Sequence, residues 1–257
     1  MAEKPILFNT EMVKAILDGR KTQTRRLIKP QPPCDLKMMT EGVHAGEWHL
    51  YNDSPMLHPQ INSPWGAWYL PPYRPNDILW VRETWKQATT GTAGPGLIDL
   101  ILYRADEPQD TTGMMVEDRW HPSIHMPRKA ARIFLSVKNV RAERLQDITE
   151  ADIEAEGTDL EAWYDYDEWQ HSVGDGLASD DCSVVFETKH GFFGRRVWDK
   201  TMQSVEQYMN FGWDANPWVW VIEFERVYGG PFGTWADRDT AQYADAGGCR
   251  QREGSVT

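Results

Sequence analysis

Gly19-Arg20-Lys21-Thr22-Gln23-Thr24-Arg25-Arg26 joins a short amphipathic segment to a strand-forming one and carries four cations and no anion. Between Lys14 and Lys29 there are six cations (Lys14, Arg20, Lys21, Arg25, Arg26, Lys29) and one anion, Asp18, in a chain whose formal net charge is −12. A basic island in an acidic protein suits the floor of a small anion- or nucleotide-binding pocket, with other segments as its walls. Upstream, Ile6-Leu7-Phe8 is long enough for one buried strand. Asn9 or Thr10 can cap a helix by accepting a backbone N–H, and Glu11 is favourable at its positive end. Met12, Val13, Ile16 and Leu17 recur at helical spacing, and Gly19 suits the left-handed residue that ends a helix. Beyond it Thr22, Thr24 and Leu27 favour strand. The basic motif therefore sits at a helix-to-strand corner, where backbone and side chains can converge on a ligand.

The length of 257 residues fits one elaborated domain, and 40% hydrophobic residues with 13 Trp supply a core. No apolar run of about 18 residues is present, and Met-Ala-Glu-Lys-Pro lacks the layout of a signal peptide. A cytoplasmic protein without membrane contact is expected. Cys34, Cys182 and Cys249 are odd in number and far apart, which fits neither a disulfide framework nor a paired-Cys zinc site. The net charge argues against bulk duplex DNA binding, yet leaves room for a single nucleotide or a short single strand. From Glu143 to Asp181 there are 14 carboxylates and one Arg, which reads as a solvated face.

Residues 30–75 contain Pro30, Pro32, Pro33, Pro55, Pro59, Pro64, Pro71, Pro72 and Pro75, with Trp48, Trp65 and Trp68 between them, and keep no period. They read as an insertion packed by its own aromatics and suited to a lid. Residues 77–85 and 218–224 are strong strand candidates, Leu97 to Tyr103 is another, and Ile133, Leu135 and Val137 alternate as a half-buried strand. Gly91 to Gly96 is a link, and 120–128 is rigid irregular chain. Thr149-x-x-Asp152 opens a short helix ending at Glu156-Gly157. Trp163 to Val173 suits a helix, and Phe193, Val197, Met202 and Val205 place helical spacing over 192–208. Residues 229–257 read as a flexible tail.

In this order the sequence resembles the ASCH family of the PUA-like superfamily, in a form common among bacteriophage and prophage proteins. The resemblance rests on the 19–26 motif, on Asp77-Ile78-Leu79-Trp80-Val81-Arg82-Glu83-Thr84-Trp85 and on Ser123-Ile124-His125-Met126-Pro127-Arg128. Leu145-Gln146-Asp147-Ile148-Thr149-Glu150 with Ala155-Glu156-Gly157, and Asn216-Pro217-Trp218-Val219-Trp220-Val221-Ile222, complete it. These segments and their strands cover somewhat under half of the chain. The resemblance implies an α+β fold, a PUA-like mixed β-barrel with flanking helices. One domain, 1–228, then carries the Pro/Trp-rich insertion at about 30–75 and an acidic insertion at about 158–191. It also implies a cleft suited to RNA or a single base.

One bacterial branch of the family hydrolyses the amide of N4-acetylcytidine, and its catalytic residues carry over to Lys21, Thr24 and Glu156. The resemblance thus implies an amidohydrolase acting on N4-acylated cytosine nucleosides without metal or other cofactor, in the host cytoplasm of a phage or prophage. Other members are RNA binders, coactivator modules or ribonucleases, so a non-catalytic reader of RNA or modified bases is the alternative, with a ribonuclease or a phage assembly protein behind it. A threonine hydroxyl needs a base to act as nucleophile. Lys21 is that base only if burial and Arg20, Arg25 and Arg26 depress its pKa; otherwise it stabilises the oxyanion and Glu156 activates Thr24 or a water. In a regular strand Lys21 and Thr24 point to opposite faces, so their convergence requires a turn at Lys21-Thr22.

Arg20, Arg25 and Arg26 are the expected substrate contacts, with Trp80, Glu83 and His125 as cleft walls. Without the resemblance, the same residues read as a solvated edge and an ordinary strand, and the tryptophans as core. His121 and His125 have i, i+4 spacing, but Pro122 and Pro127 oppose the helix that a metal pair would need.

Overall fold

The computed structural model describes residues 2–32, 36–38, 48–50, 68–90, 98–109, 111–159, 161, 163–164 and 188–227. Over these the chain is α+β, rich in strand and poor in helix. In chain order it forms β1 (Glu3–Leu7), α1 (Thr10–Leu17), β2 (Gln23–Leu27), β3 (Leu36–Met38), β4 (Trp48–Leu50) and β5 (Trp68–Tyr69). Then follow β6 (Ile78–Arg82), β7 (Trp85–Thr90), β8 (Ile98–Tyr103), β9 (Met114–Val116), β10 (Phe134–Arg144), α2 (Glu150–Ala155), α3 (Lys189–Phe192), α4 (Val205–Phe211) and β11 (Trp218–Arg226).

The central sheet has the order β1-β6-β10-β11-β2. β1 runs parallel to β6, and the other neighbours are antiparallel. The 11-residue β10 bridges the two halves, pairing with β6 along one edge and β11 along the other, and its ladder to β11 shifts register between Val137 and Asn139. β1 and β2 are the edges, and no ladder joins them among the described residues. A side chain does: Arg26 Nη2 of β2 donates to the Leu7 carbonyl at the end of β1 over 2.6 Å. The sheet is thus curled far enough for one edge strand to reach the other. β3, β4 and β5 form a small antiparallel sheet within the proline-rich stretch, and β8, β7 and β9 form another.

β11 is buried on both faces, which explains its unbroken apolar run Trp218-Val219-Trp220-Val221-Ile222. Trp220, Ile222 and Phe224 pack with Ile6, Phe8, Val13, Ile16, Leu79, Val81 and Leu135. Val219 and Val221 pack on the other side with Leu145, Ile148, Ile153 and Phe193. Truncating Ile222, which is sealed from water, to Ala would cost about 2–5 kcal/mol. A third cluster, Trp85, Met126, Ala130, Ala131 and Phe134, lies beneath β6 and β7.

Both helices that frame the corner are capped as the sequence prescribes. Asn9 Oδ1 accepts the Met12 N–H over 2.8 Å, and Gly19 follows the helix at φ +76°. Thr149 and Asp152 form a reciprocal capping box on α2, which ends at Glu156 and Gly157, the latter at φ +74°. The helical spacing over 192–208 becomes a broken path instead: α3, a π-helical turn over Phe193–Trp198, a 3₁₀ turn over Asp199–Thr201, and α4. Gly194 lies against the Trp213 ring so closely that a Cβ would fall 2.2 Å from Cδ2, and Ser204 caps a new helix by accepting the Gln207 N–H. Tight packing and a local cap override the period. Residues 120–128 are irregular with a 3₁₀ turn at Ser123–His125.

Among the described residues no helix is long and apolar enough to cross a membrane. Most of the 30–75 insertion, the Gly91 to Gly96 link, most of the Trp163 to Val173 helix expected from the sequence, residues 165–187 and the 229–257 tail lie outside the described residues.

Candidate active site

After α1 the backbone N–H groups of Arg20 and Lys21 both donate to the Ala15 carbonyl, at 2.9 and 3.0 Å, which turns the chain sharply. Lys21 then forms an isolated antiparallel bridge with Glu156, and the Thr22 N–H donates to the Ala155 carbonyl over 2.8 Å. The C-terminal end of α2 is thereby stitched to the start of β2. Gly157 permits this approach: a Cβ there would lie 2.8 Å from the Cβ atoms of both Ala15 and Lys21, at a φ that L side chains resist.

The Lys21 side chain is 0% exposed, and its Nζ donates to Glu156 Oε2 over 2.7 Å and to the Glu156 main-chain carbonyl over 2.8 Å. Burial pulls the Lys21 pKa below its usual value; the Glu156 charge and hydrogen bond oppose this, and the Arg26 and Arg25 charges add to it. The second Glu156 oxygen accepts from Arg25 Nη1 over 3.0 Å. Arg25 is itself 1% exposed, with Nε and Nη2 on Glu143 Oε1 at 3.1 and 2.6 Å and Nη2 3.6 Å from Asp152 Oδ2.

Beyond Arg25 the network continues. Arg141 donates to Glu143 Oε2 and Asp152 Oδ1, at 3.0 and 3.1 Å, and pairs with Glu223. Gln23 Nε2 donates to the Asp152 carbonyl and Oδ1, at 2.9 and 3.0 Å. For Asp152, burial is outweighed by hydrogen bonds from Thr149 and Gln23 and by the Arg25 charge, which bring its pKa to about 2. The acidic run beginning at Glu143 is therefore not wholly a solvated face, since Glu143, Asp152 and Glu156 turn inward onto cations.

Side chains alternate along β2. Gln23 and Arg25 face α2, whereas Thr24, across from Ile222, shares the opposite face with Arg26. Lys21 precedes the strand and reaches both sides of this edge: it bonds Glu156 beside Arg25, and its Nζ lies 5.7 Å from the Phe8 ring centroid, over which Arg26 Cζ also sits at 5.3 Å. The chain does not turn at Lys21-Thr22: it turns at Asp18-Gly19, Lys21 is extended in its bridge to Glu156, and Thr24 stays on the face opposite Gln23 and Arg25. Thr24 is 2% exposed, and among the described residues its hydroxyl has no hydrogen-bond partner.

Of the other expected site residues, Arg20 is exposed, pairs with Asp18 at 3.1 Å and reaches the Gly157 carbonyl at 3.3 Å. Arg26 holds Leu7, and burial lowers its pKa while Tyr73 and Glu156 oppose that; an arginine stays charged regardless. Arg25 is enclosed by carboxylates and does not face solvent as a substrate contact would. Trp80 packs against the third cluster, with the Arg82 guanidinium 5.5 Å from its ring. Glu83 is 1% exposed and locked in a two-pronged pair with Arg132, both contacts 3.0 Å, while Arg132 also holds Asp106 and covers the Tyr103 ring. Burial raises the Glu83 pKa and Arg132 only partly offsets it. His125 is exposed on its 3₁₀ turn, and His121 is engaged by Glu117 at 2.8 Å. Lys21, Arg25 and Glu156 are thus assembled in one cluster, with Arg26 beside it; no described hydrogen bond or ion pair ties Trp80, Glu83 or His125 to that cluster.

Sequence reasoning missed Phe8, Gln23, Arg141, Glu143, Asp152 and Thr158, whose buried hydroxyl, directly after Gly157, has no partner among the described residues. One signal was available: Gln23 and Arg25 are polar at i, i+2 and so share one face of β2, across from Glu223 and Val221 of β11. No family model, curated protein or solved structure matches the chain.

Proposed function

We propose that this chain is an ASCH-type protein of PUA-like fold that hydrolyses the acyl amide of an N4-acylated cytosine nucleoside, with Lys21, Glu156 and Thr24 at the reacting centre. One observation carries the reading. Two residues expected at the reacting centre from separate segments, Lys21 and Glu156, share a 2.7 Å hydrogen bond, both side chains buried, with the Lys21 ammonium 5.7 Å from the Phe8 ring centroid. The curled sheet, with Arg26 spanning its edges, fits a barrel-like architecture.

In this reading Glu156 takes a proton from the attacking water as the water oxygen bonds the acyl carbon. The third N–H of Lys21, left over after two donations to Glu156, faces the oxyanion that forms. As the C–N4 bond breaks, the proton held at Glu156 passes to the departing amine, so that a carboxylic acid and the free cytosine nucleoside leave. Thr24, whose hydroxyl has no hydrogen-bond partner among the described residues, hydrogen-bonds the substrate. Incubating the protein with N4-acetylcytidine is expected to give cytidine and acetate in equal amounts, resolved by chromatography.

A reader module without turnover is the second reading, favoured by the closed Lys21–Glu156 pair and by the absence of a base bonded to Thr24 among the described residues. It predicts salt-sensitive binding of the modified nucleoside or a short single-stranded RNA, recovered unchanged, and loss of that binding in Arg26→Glu.

A further inference from the structure

The Lys21–Glu156 pair does not stand alone. Lys21 is faced by Glu156 from the end of α2, by Arg25 and Arg26 from β2, and by the Phe8 ring after β1. Glu156 is held at one oxygen by Lys21 and at the other by Arg25. Arg25 in turn is faced by Glu143 from β10 and Asp152 from α2, and Arg141 backs both of these carboxylates. Charges alternate in sign from the reacting pair outward, and the first four members, Lys21, Glu156, Arg25 and Glu143, run from a fully enclosed ammonium to a carboxylate that is 15% exposed.

We propose that Arg25 is a positioning residue, which clamps Glu156 against Lys21 and carries the influence of Glu143 into the reacting pair. The proposal rests on the reading of Lys21 and Glu156 as that pair. It removes Arg25 from the set of substrate contacts, because all of its bonded directions point at Glu143, Asp152 and Glu156. A guanidinium suits this role because its planar fork holds two carboxylates at once, which an ammonium cannot do at fixed geometry.

Two substitutions act with opposite sign. Arg25→Gln removes a positive neighbour from Lys21, so Lys21 titrates at higher pH than in the parent chain. Glu143→Gln leaves Arg25 in place but removes the anion that partly neutralises it, so Lys21 titrates at lower pH. A charge network that does not reach Lys21 predicts no such reversal.

The experiment is direct titration of the Lys21 side chain by NMR in the full chain labelled at lysine, assigned with Lys21→Met. It needs no turnover, so it stands apart from the amidohydrolase reading. An upward shift in Arg25→Gln and a downward shift in Glu143→Gln, each about half a pKa unit or more, support the clamp. Shifts of the same sign in both, or none in Glu143→Gln, overturn it; should Arg25→Gln fail to fold, the near-isosteric Glu143→Gln decides alone. With N4-acetylcytidine as the probe, Arg25→Lys is expected to lower kcat about 10²-fold, the scale of a misplaced catalytic group, with KM unchanged. A raised KM with unchanged kcat would make Arg25 a substrate contact and overturn the proposal. Absence of turnover in the parent chain would count against the amidohydrolase reading, while the titration would still judge the clamp.

Discussion

Lys21 Nζ lies 2.7 Å from Glu156 Oε2, and the backbones of the same two residues form an isolated bridge although they are 135 positions apart. Main chain and side chains therefore fix the pair together. The geometry of this pair follows from two helix ends, Gly19 after α1 and Gly157 after α2, and does not depend on a mobile loop.

Breaking the pair from one side leaves an enclosed charge without its partner. Glu156→Gln is expected to destabilise the protein by about 3–5 kcal/mol, and Lys21→Met/Glu156→Leu to recover most of that loss. Urea titration of the three chains measures both. A double variant less stable than Glu156→Gln would show that the pair contributes net stability.

Gly157→Ala tests the backbone approach. The new methyl meets the Cβ atoms of Ala15 and Lys21 at 2.8 Å and sits at a positive φ, a strain of about 1–3 kcal/mol. Because the clash pushes on Lys21 itself, turnover is expected to fall further than the stability loss explains. Equal activity in the folded fraction would contradict this.

The pH dependence of stability has two limbs with fixed signs. The Lys21 pKa is depressed in the folded state relative to 10.5. Between those two values the unfolded chain binds more protons, so stability rises with pH across that window. Lys21→Met is expected to abolish this rise. On the acid side Asp152 titrates at about 2 against an ordinary value of 3.8. Its contribution, about 1–2 kcal/mol after discounting for solvent contact, is present above pH ~4 and lost as pH falls toward 2. Asp152→Asn flattens that limb, and denaturant midpoints against pH report both.

Glu83 and Arg132 act as a structural pair. Arg132→Met strands a carboxylate that is 1% exposed, a loss of about 3–5 kcal/mol. The affinity of the folded protein for a modified nucleoside should stay unchanged. Weakened binding without loss of stability would return Glu83 to the site.

How far the sequence foretold these arrangements depends on the kind of signal. Caps and turns are local, and Asn9, Gly19, Thr149, Asp152 and Gly157 all do what their residue types and spacing indicate. The helical spacing over 192–208 misled, because the Gly194–Trp213 contact and the Ser204 cap depend on packing that periodicity does not record. Glu143 and Arg141 stayed hidden for a related reason. A charged residue in a strand reads as solvent-facing until the opposite strand is known, and Arg25 lies across β11 from them. The proximity of Glu156 to Lys21 came from the family resemblance and not from any pattern in the residues themselves.

The measurement that bears most directly on this account is turnover of N4-acetylcytidine by the parent chain beside folded Lys21→Ala. The account predicts cytidine and acetate from the parent and none above background from the variant. A folded Lys21→Ala chain that releases cytidine at the parent rate would contradict it.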